Sequence, residues 1–556
     1  MSKTKIIATI GPASFDEAIL NKMAHSGLSA VRINTAHIEP GYITKVSNMI
    51  DKINNDCKTN IGIMVDLKGP ELRTGVFNNN IFNVVTGNKY TISDDNNSKS
   101  DIFINHKIRD YVDNNTVIAI NDGKIRFRVN KIDNNIETTA LDTGEIHSTS
   151  RVNIPGKYIK LGTLTDRDKL FLDEGLKNNV NFYALSFVQK AENVNELQDY
   201  IYDKNGNGEI ISKIETKSGY DNIESIVQAS DYIMVARGDL GVELPLKEVV
   251  MAQKKIIITS HKYAVPTIVA TQMLESMVNS DSPTRAEVSD VTNAIIDDAD
   301  ALMLSEETAI GKYPVNAVSY LNDISNFVES QDVKFSEPEN FIMDKIAFSV
   351  AKGVRTMAES INVDSIIAFT KSGYTARIIS AIRPNKDIYA IVTSDWLSKS
   401  INLLKGVVPV KIQEKFLNNI YDLINELSSL NFLKSGQKTI FVSGFPSLYS
   451  GGANDIRIIT IGKFIGRGYS IGKNVSGKVD IDTPGNGNII IVDNYNKNFD
   501  YSKYDAVIVK SNITNRIIDD FIEKNKTIVY NAEISGDIKD GEEINIDSDT
   551  GIITLL

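Results

Sequence analysis

Hydrophobic positions along this chain of 556 residues fall into short apolar runs separated by longer amphipathic stretches. The runs Lys5–Thr9, Ala30–Ile33, Ile61–Asp66, Phe182–Phe187, Ile210–Ile214, Tyr232–Val235, Pro266–Ala270 and Ala301–Leu304 each have the length of a buried strand. Between Ile214 and Tyr232 the pattern turns helical over Gly219–Ala229, with Ile223, Ile226 and Val227 on one face. A strand, a helix and a strand in that order pair in parallel through a right-handed crossover. Eight such units predict an α/β chain built on a (β/α)₈ barrel.

The rhythm breaks between residues 73 and 158. Lys124 to Val129 alternates with period two, and Asp122-Gly123, Asn134-Asn135 and Thr143-Gly144 read as turns. The stretch is too long for a loop and reads as an inserted β-barrel-like domain, either a hinged lid or a passive insertion. Residues 331–338 read as a linker. Beyond it, helices at 343–359, 375–382 and 415–430 alternate with strands at 365–369, 388–392 and 438–442, a doubly wound α/β pattern. The Gly- and Asp-rich remainder has strands near 489–492, 506–509 and 527–530 and a helix near 514–524. The expected partition is 1–72 and 159–335 for the barrel, 73–158 for the lid, 336–462 for the α/β domain and 463–556 for a small extra domain.

Polar residues suited to chemistry gather just past the barrel strands: Arg32 and Asn34, Asp66 and Lys68, Lys213 and Glu215, Asp239, and Thr271. Barrel active sites are built on that face. Lys213 and Glu215 are two residues apart, so they point the same way while Ile214 points into packing. A lysine with two carboxylates at neighbouring strand ends can hold a divalent ion and an anionic substrate, or can be a structural salt-bridge cluster.

Composition narrows the function. The formal net charge of −11 argues against a nucleic-acid or membrane-surface binder. One cysteine, Cys57, excludes an internal disulfide and suits a reducing cytoplasm. No segment reads as a signal peptide or a membrane span. The run Thr370-Lys371-Ser372-Gly373-Tyr374-Thr375-Ala376 places hydroxyls, a glycine and a lysine at a predicted helix start. That suits a phosphate cradle or ordinary capping.

Long motifs then carry a resemblance to the pyruvate kinase family. They are Thr4 to Ser14 (TKIIATIGPAS), Asp66 to Arg73 (DLKGPELR), Ser212 to Glu215 (SKIE), Met234 to Gly241 (MVARGDLG), Ala270 to Met277 (ATQMLESM), Pro283 to Glu287 (PTRAE), and Asp300 to Pro314. The resemblance spans residues 1–462. It implies transfer of phosphate from phosphoenolpyruvate to ADP in the last step of glycolysis, with a phosphorylated small-molecule effector and a homotetramer. It implies that Glu215 and Asp239 hold Mg²⁺ or Mn²⁺, that Lys213 and Arg32 meet the transferred phosphate, and that Thr271 serves the proton transfer. Backbone N–H groups of Ala236, Arg237, Gly238 and Asp239 would bind the substrate carboxylate. Asn34, Asp66 and the Leu67 carbonyl would ligate K⁺. Asn34, His37, Arg73 and Arg151 would face the nucleotide. Thr370, Lys371, Ser372, Gly373 and Thr375 would hold the effector phosphate.

Three positions depart from the family pattern. Ala36 stands where a serine usually ligates K⁺, and Leu67 stands where threonine is frequent, although Glu71 keeps the K⁺-dependent pattern. A nucleotide-contacting lysine usually precedes Val152, where this chain has Ser148-Thr149-Ser150-Arg151. The tail resembles the swivelling phosphohistidine domain of phosphoenolpyruvate-utilising enzymes, through Gly466 to Gly472 and Asp540 to Asp547. The chain has no histidine after His261, and Thr514-Asn515-Arg516 falls where Thr-Ser-His is expected. A structural or assembly role follows. Two rival readings are a Mg²⁺-dependent lyase or aldolase handling the enolate of pyruvate, and a lapsed kinase retained as a regulatory subunit.

Overall fold

The structure is a computed structural model that describes residues 2–95, 99–133, 135–331, 344–417, 420–444, 453–534, 538–548 and 550–556. The linker expected at 331–338 lies outside the described residues except for Gln331. The chain divides into two compact units. One comprises residues 1–348, 372–383 and 394–409, and the other 349–371, 384–393 and 410–556.

The first unit is organised on a closed barrel of β1 (Lys5–Thr9), β2 (Ala30–Asn34), β3 (Gly62–Leu67), β4 (Phe182–Leu185), β5 (Glu209–Ile214), β6 (Tyr232–Ala236), β7 (Thr267–Ala270) and β8 (Ala301–Leu304). Neighbours in sequence are neighbours in the barrel, all pairs are parallel, and β1 closes it against both β2 and β8. Most of these strands are buried along their whole length because helices cover the outside, which is why they read as apolar runs rather than alternations. The helix Tyr42–Cys57 shows how the cover is made. Ile43, Val46, Ile50 and Ile53 recur at three- and four-residue spacing and are fully buried.

One helix differs from its sequence reading. Gly219–Ala229 is two helices, Lys217–Asp221 and Ile223–Ala229. At the break Asn222 turns its side-chain amide onto the Gln189 carbonyl. A Cβ at Gly219 would lie 2.4 Å from the Val188 carbonyl oxygen, so the first helix packs there only as glycine.

Between β3 and β4 the chain forms a seven-stranded sheet. Its order is Leu72–Arg73, Arg151–Asn153, Val117–Ile120, Ile125–Ile132, Ile136–Ala140, Lys89–Ser93 and Ile102–Phe103. Ile125, Phe127 and Val129 face its core, and Arg126, Arg128 and Asn130 face outward. Entry and exit strands pair side by side, Leu72 with Val152 and Arg73 with Arg151. That pairing returns two arginines to the barrel mouth.

Opposite the mouth, charge is buried. Arg383 donates to Asp298 (2.9 Å) and lies 3.0 Å from Asp300 and 2.8 Å from His261 Nε2, while Lys405 reaches Asp298 at 3.0 Å. Burial opposes these carboxylates' charge, yet Arg383, helped by Lys405 at Asp298 and by His261 at Asp300, holds both below the usual range.

In the second unit, Asp387–Val392, Ser365–Phe369 and Lys438–Ser443 are parallel and Asp455–Thr460 is antiparallel at the edge. The tail is fuller than its sequence suggests. Lys463–Ile471, Thr527–Ile534, Ala506–Val509, Ile489–Val492, Val475–Ile481, Glu543–Asp547 and Ile552–Leu555 close into a second barrel, with one helix at Asn515–Glu523. Only its buried parallel strands were legible as apolar runs.

Candidate active site

Lys213 is the hub. As the penultimate residue of β5 it points into the barrel mouth, its side chain 11% exposed. Its ammonium donates to Asp66 Oδ1 (3.1 Å) and Ser186 Oγ (2.8 Å) and lies 3.0 Å from Glu215 Oε1. Arg32 on β2 donates through Nε to the other Asp66 oxygen (2.7 Å) and through Nη1 to Thr9 Oγ1 (3.0 Å). Asn34 and Asp66 are register partners across β2 and β3, so these groups converge by strand geometry.

The charges set one another's protonation. Burial disfavours charge on Lys213, but Asp66 and Glu215 keep its pKa above the ordinary lysine value. Burial likewise opposes Asp66, which Lys213 and Arg32 hold below the carboxylate range. Glu215 goes the other way. Burial pushes it up to about 7, against Lys213 and with Asp239. Its second oxygen accepts the Phe187 N–H at 2.7 Å.

Asp239 lies in the first turn of the helix Arg237–Glu243, which starts directly after β6. Its partner is the Arg151 guanidinium, which is also stacked 4.5 Å from the Phe187 ring centroid. A cation thus stands against Asp239 already, and the donors are hard carboxylate oxygens, as Mg²⁺ or Mn²⁺ requires. No group of three or more metal-ligating His, Cys, Asp or Glu side chains occurs among the described residues. A pair of carboxylates leaves most of an octahedral shell to water and substrate oxygens, so the residues fit a divalent ion shared with substrate.

The β6 turn packs against the turn after β7. The Gly238 N–H, expected on a substrate carboxylate, donates to Thr271 Oγ1 at 2.9 Å. The Arg237 side chain is committed to Asp290 and to the Thr271 carbonyl (2.7 Å).

Arg32, Asn34 and His37 line a cavity of about 710 Å³ together with Thr9, Gly11, Pro12, Phe15, Tyr42 and Ser305. Phe15 and Tyr42 stack at 4.9 Å. Neither was singled out from sequence, because single aromatics in amphipathic stretches look like core. Arg73 and Arg151, expected beside the nucleotide, do not line this cavity. Arg73 bonds Glu71 (2.9 Å) and the Thr149 carbonyl (2.6 Å), and Arg151 lies on Asp239. Ser186 was also missed. It is buried just past β4 and links Lys213 to the Leu67 carbonyl (2.7 Å). The Asn34 side chain accepts the Ala36 N–H (3.1 Å), and Thr35 turns its hydroxyl onto the Asp66 carbonyl (2.8 Å). Thr370 and Thr375 are buried, Lys371 and Ser372 are exposed, and the helix Tyr374–Ala381 begins after Gly373 at φ +86°.

The pyruvate kinase barrel-domain model matches residues 1–318, and the pyruvate kinase alpha/beta-domain model matches 349–459. The chain belongs to the pyruvate kinase family. It is 46% identical to the pyruvate kinase of Thermoplasma acidophilum, over all of this chain and 99% of that one, the tail included. With the pyruvate kinase of Staphylococcus aureus it shares 35% identity, covering 85% of this chain and 83% of the other. The crystal structure of a pyruvate kinase from Cryptosporidium parvum superposes with a TM-score of 0.76 at 30% identity, covering 83% of this chain and 96% of that one. The matches agree with the barrel, the added sheet and the α/β domain read from the sequence.

Proposed function

We propose that Lys213, Arg32, Glu215, Asp239 and Thr271 carry the transfer of phosphate from phosphoenolpyruvate to ADP, the phosphotransferase reaction of the family. One observation carries this assignment: the buried Lys213 ammonium lies within 3.1 Å of carboxylates on both sides, beside Arg32 and a nucleotide-sized cavity. A divalent ion held by Glu215 and Asp239 would supply charge neutralisation at the substrate's carboxylate and phosphate oxygens. Lys213 and Arg32 bind the phosphoryl oxygens, and Lys213 stabilises them in flight. The hydroxyl of Thr271 accepts from Gly238, which leaves its own proton free to be given. It passes a proton from water to the methylene carbon of the enolate, giving pyruvate. His37, Tyr42 and Phe15 hold the nucleotide in their cavity.

Asn34, Asp66 and the Leu67 carbonyl gather hard oxygens at adjacent strand ends, a fit for K⁺ that lacks one hydroxyl at Ala36. A phosphorylated effector at Thr370, Lys371, Ser372, Gly373 and Thr375 belongs to the same reading. So does a cytoplasmic homotetramer, supported by the exposed apolar row Leu246, Val250, Met251 and Ile258 on the helix Leu246–Lys262. No helix among the described residues is long and apolar enough to cross a membrane. The tail acts in structure or assembly.

The test is pyruvate formation from phosphoenolpyruvate, with and without ADP, Mg²⁺ and K⁺. ADP-dependent formation of pyruvate and ATP supports the reading. Pyruvate released with inorganic phosphate in the absence of ADP points to hydrolysis rather than kinase chemistry, and no pyruvate under any of these conditions points to a lyase, an aldolase or a lapsed kinase.

A further inference from the structure

The turn after β7 is strained. Thr271 has φ +69° and Gln272 φ +54°. Consecutive left-handed residues without glycine are uncommon, and a β-branched one is an outlier. Such backbone is costly and persists only where its surroundings over-determine it.

The surroundings can be named. From below, Met273 and Leu274 are fully buried, and the Leu274 N–H donates to Glu307 (3.1 Å). From the side, Arg237 Nη2 donates to the Thr271 carbonyl (2.7 Å) and the Gln272 carbonyl (3.3 Å). Arg237 Nη1 is fixed on Asp290 (2.7 Å) of the helix Arg285–Ile296. The next residue, Gly238, gives its N–H to the Thr271 hydroxyl. One guanidinium therefore ties the strained carbonyls, the start of the helix after β6 and a neighbouring helix into one unit.

We infer that Arg237, anchored by Asp290, is a positioning residue for proton transfer: it clamps the Thr271–Gln272 turn in its left-handed conformation and so aims the Thr271 hydroxyl at the enolate carbon. The inference rests on the role given to Thr271 above. The Arg237 side chain is taken up by Asp290 and the turn carbonyls, so it acts through Thr271. Its loss slows protonation at carbon and spares substrate binding.

The experiment follows exchange of the methyl protons of pyruvate with D₂O by NMR, in full-length enzyme with Mg²⁺ and ATP. In that exchange a C3–H bond breaks, its proton passes through Thr271 to water, and a deuteron returns to carbon. Thr271→Val, Arg237→Gln and Asp290→Ala are compared with wild type. Thr271→Val keeps the side-chain shape and should lose exchange, which tests the underlying role. Arg237→Gln should lower exchange and kcat about tenfold to a hundredfold, with KM for phosphoenolpyruvate unchanged. Asp290→Ala should give a smaller loss of the same pattern, and Arg237→Lys should recover part of it. If Thr271→Val exchanges normally, the role of Thr271 fails. If Thr271→Val loses exchange while Arg237→Gln and Asp290→Ala keep it, the clamp is refuted. It is equally refuted if their losses fall on KM or only track a lower melting temperature. Should Arg237→Gln not fold, Asp290→Ala alone decides by the same criteria.

Discussion

Arg151, carried on the exit strand of the inserted sheet, places its guanidinium on the carboxylate of Asp239 at the barrel mouth. The side chain assigned to the divalent ion is thus already neutralised by a cation from the inserted sheet. Burial disfavours the charge on Arg151, but Asp239 and Glu215 raise its pKa, so it stays charged at any working pH. A divalent ion taking the Asp239 oxygen that Arg151 holds would have to displace it. Arg151→Gln should therefore tighten Mn²⁺ binding to the substrate-free enzyme by about fivefold, about 1 kcal/mol for a partly exposed pair. Titration followed by electron paramagnetic resonance reads the free ion. An unchanged or weaker affinity would show that the guanidinium does not compete.

Lys213→Met should lower turnover by several orders of magnitude while leaving Mn²⁺ affinity largely intact. The methionine keeps the packing and removes the cation held between Asp66 and Glu215. Steady-state assay beside metal titration separates the two effects, and a near-normal rate would remove Lys213 from the mechanism.

Tyr42→Ala should raise KM for ADP about tenfold and leave KM for phosphoenolpyruvate within twofold. Tyr42 and Phe15 form a stacked wall of the cavity behind Arg32, away from Lys213. Equal changes in both constants would place the nucleotide elsewhere.

Ala36→Ser should strengthen activation by K⁺, measured against tetramethylammonium at constant ionic strength. The wild-type chain brings Asn34 and Asp66 together but supplies no hydroxyl at position 36, since the neighbouring Thr35 turns inward to the Asp66 carbonyl. If serine changes nothing, the cation does not sit there.

How much of this was legible follows from where each signal is stored. Barrel strands are buried on both faces, so Ile210–Ile214 and Tyr232–Val235 are local apolar runs that sequence shows directly. Lys213, Glu215, Asp66 and Arg32 lie at strand ends, where parallel pairing brings them together whatever the loops do. The contact of Arg151 with Asp239 was not legible, because it depends on the pairing of Arg73 with Arg151 across an intervening sheet. The strain at Thr271 and the commitment of Arg237 to Asp290 are backbone and tertiary facts with no trace in composition. His261 looked like an isolated histidine for the same reason. Its partners, Asp298, Asp300 and Arg383, include one more than a hundred residues away.

That cluster makes the last prediction. Asp298 and Asp300 both titrate below the usual carboxylate range in the folded chain, so the unfolded chain binds more protons as pH falls through about 4. Their stabilisation is fully present above that point and is lost as pH drops toward their folded values. Acid unfolding of the first unit should therefore steepen below about pH 4. Arg383→Met removes the cation shared by both carboxylates and leaves Lys405 and His261 to face two buried charges. It should cost about 3–5 kcal/mol at pH 7, because a buried charge without its partner is worse than no pair. It should also shift acid unfolding to higher pH, since carboxylates deprived of their guanidinium protonate more readily. Adding Asp298→Asn and Asp300→Asn should restore much of the loss and flatten the acid limb. Urea unfolding at pH 4 and pH 7 measures both effects. A single arginine substitution with no loss at pH 7 would mean that the buried carboxylates are held by Lys405 and His261 alone.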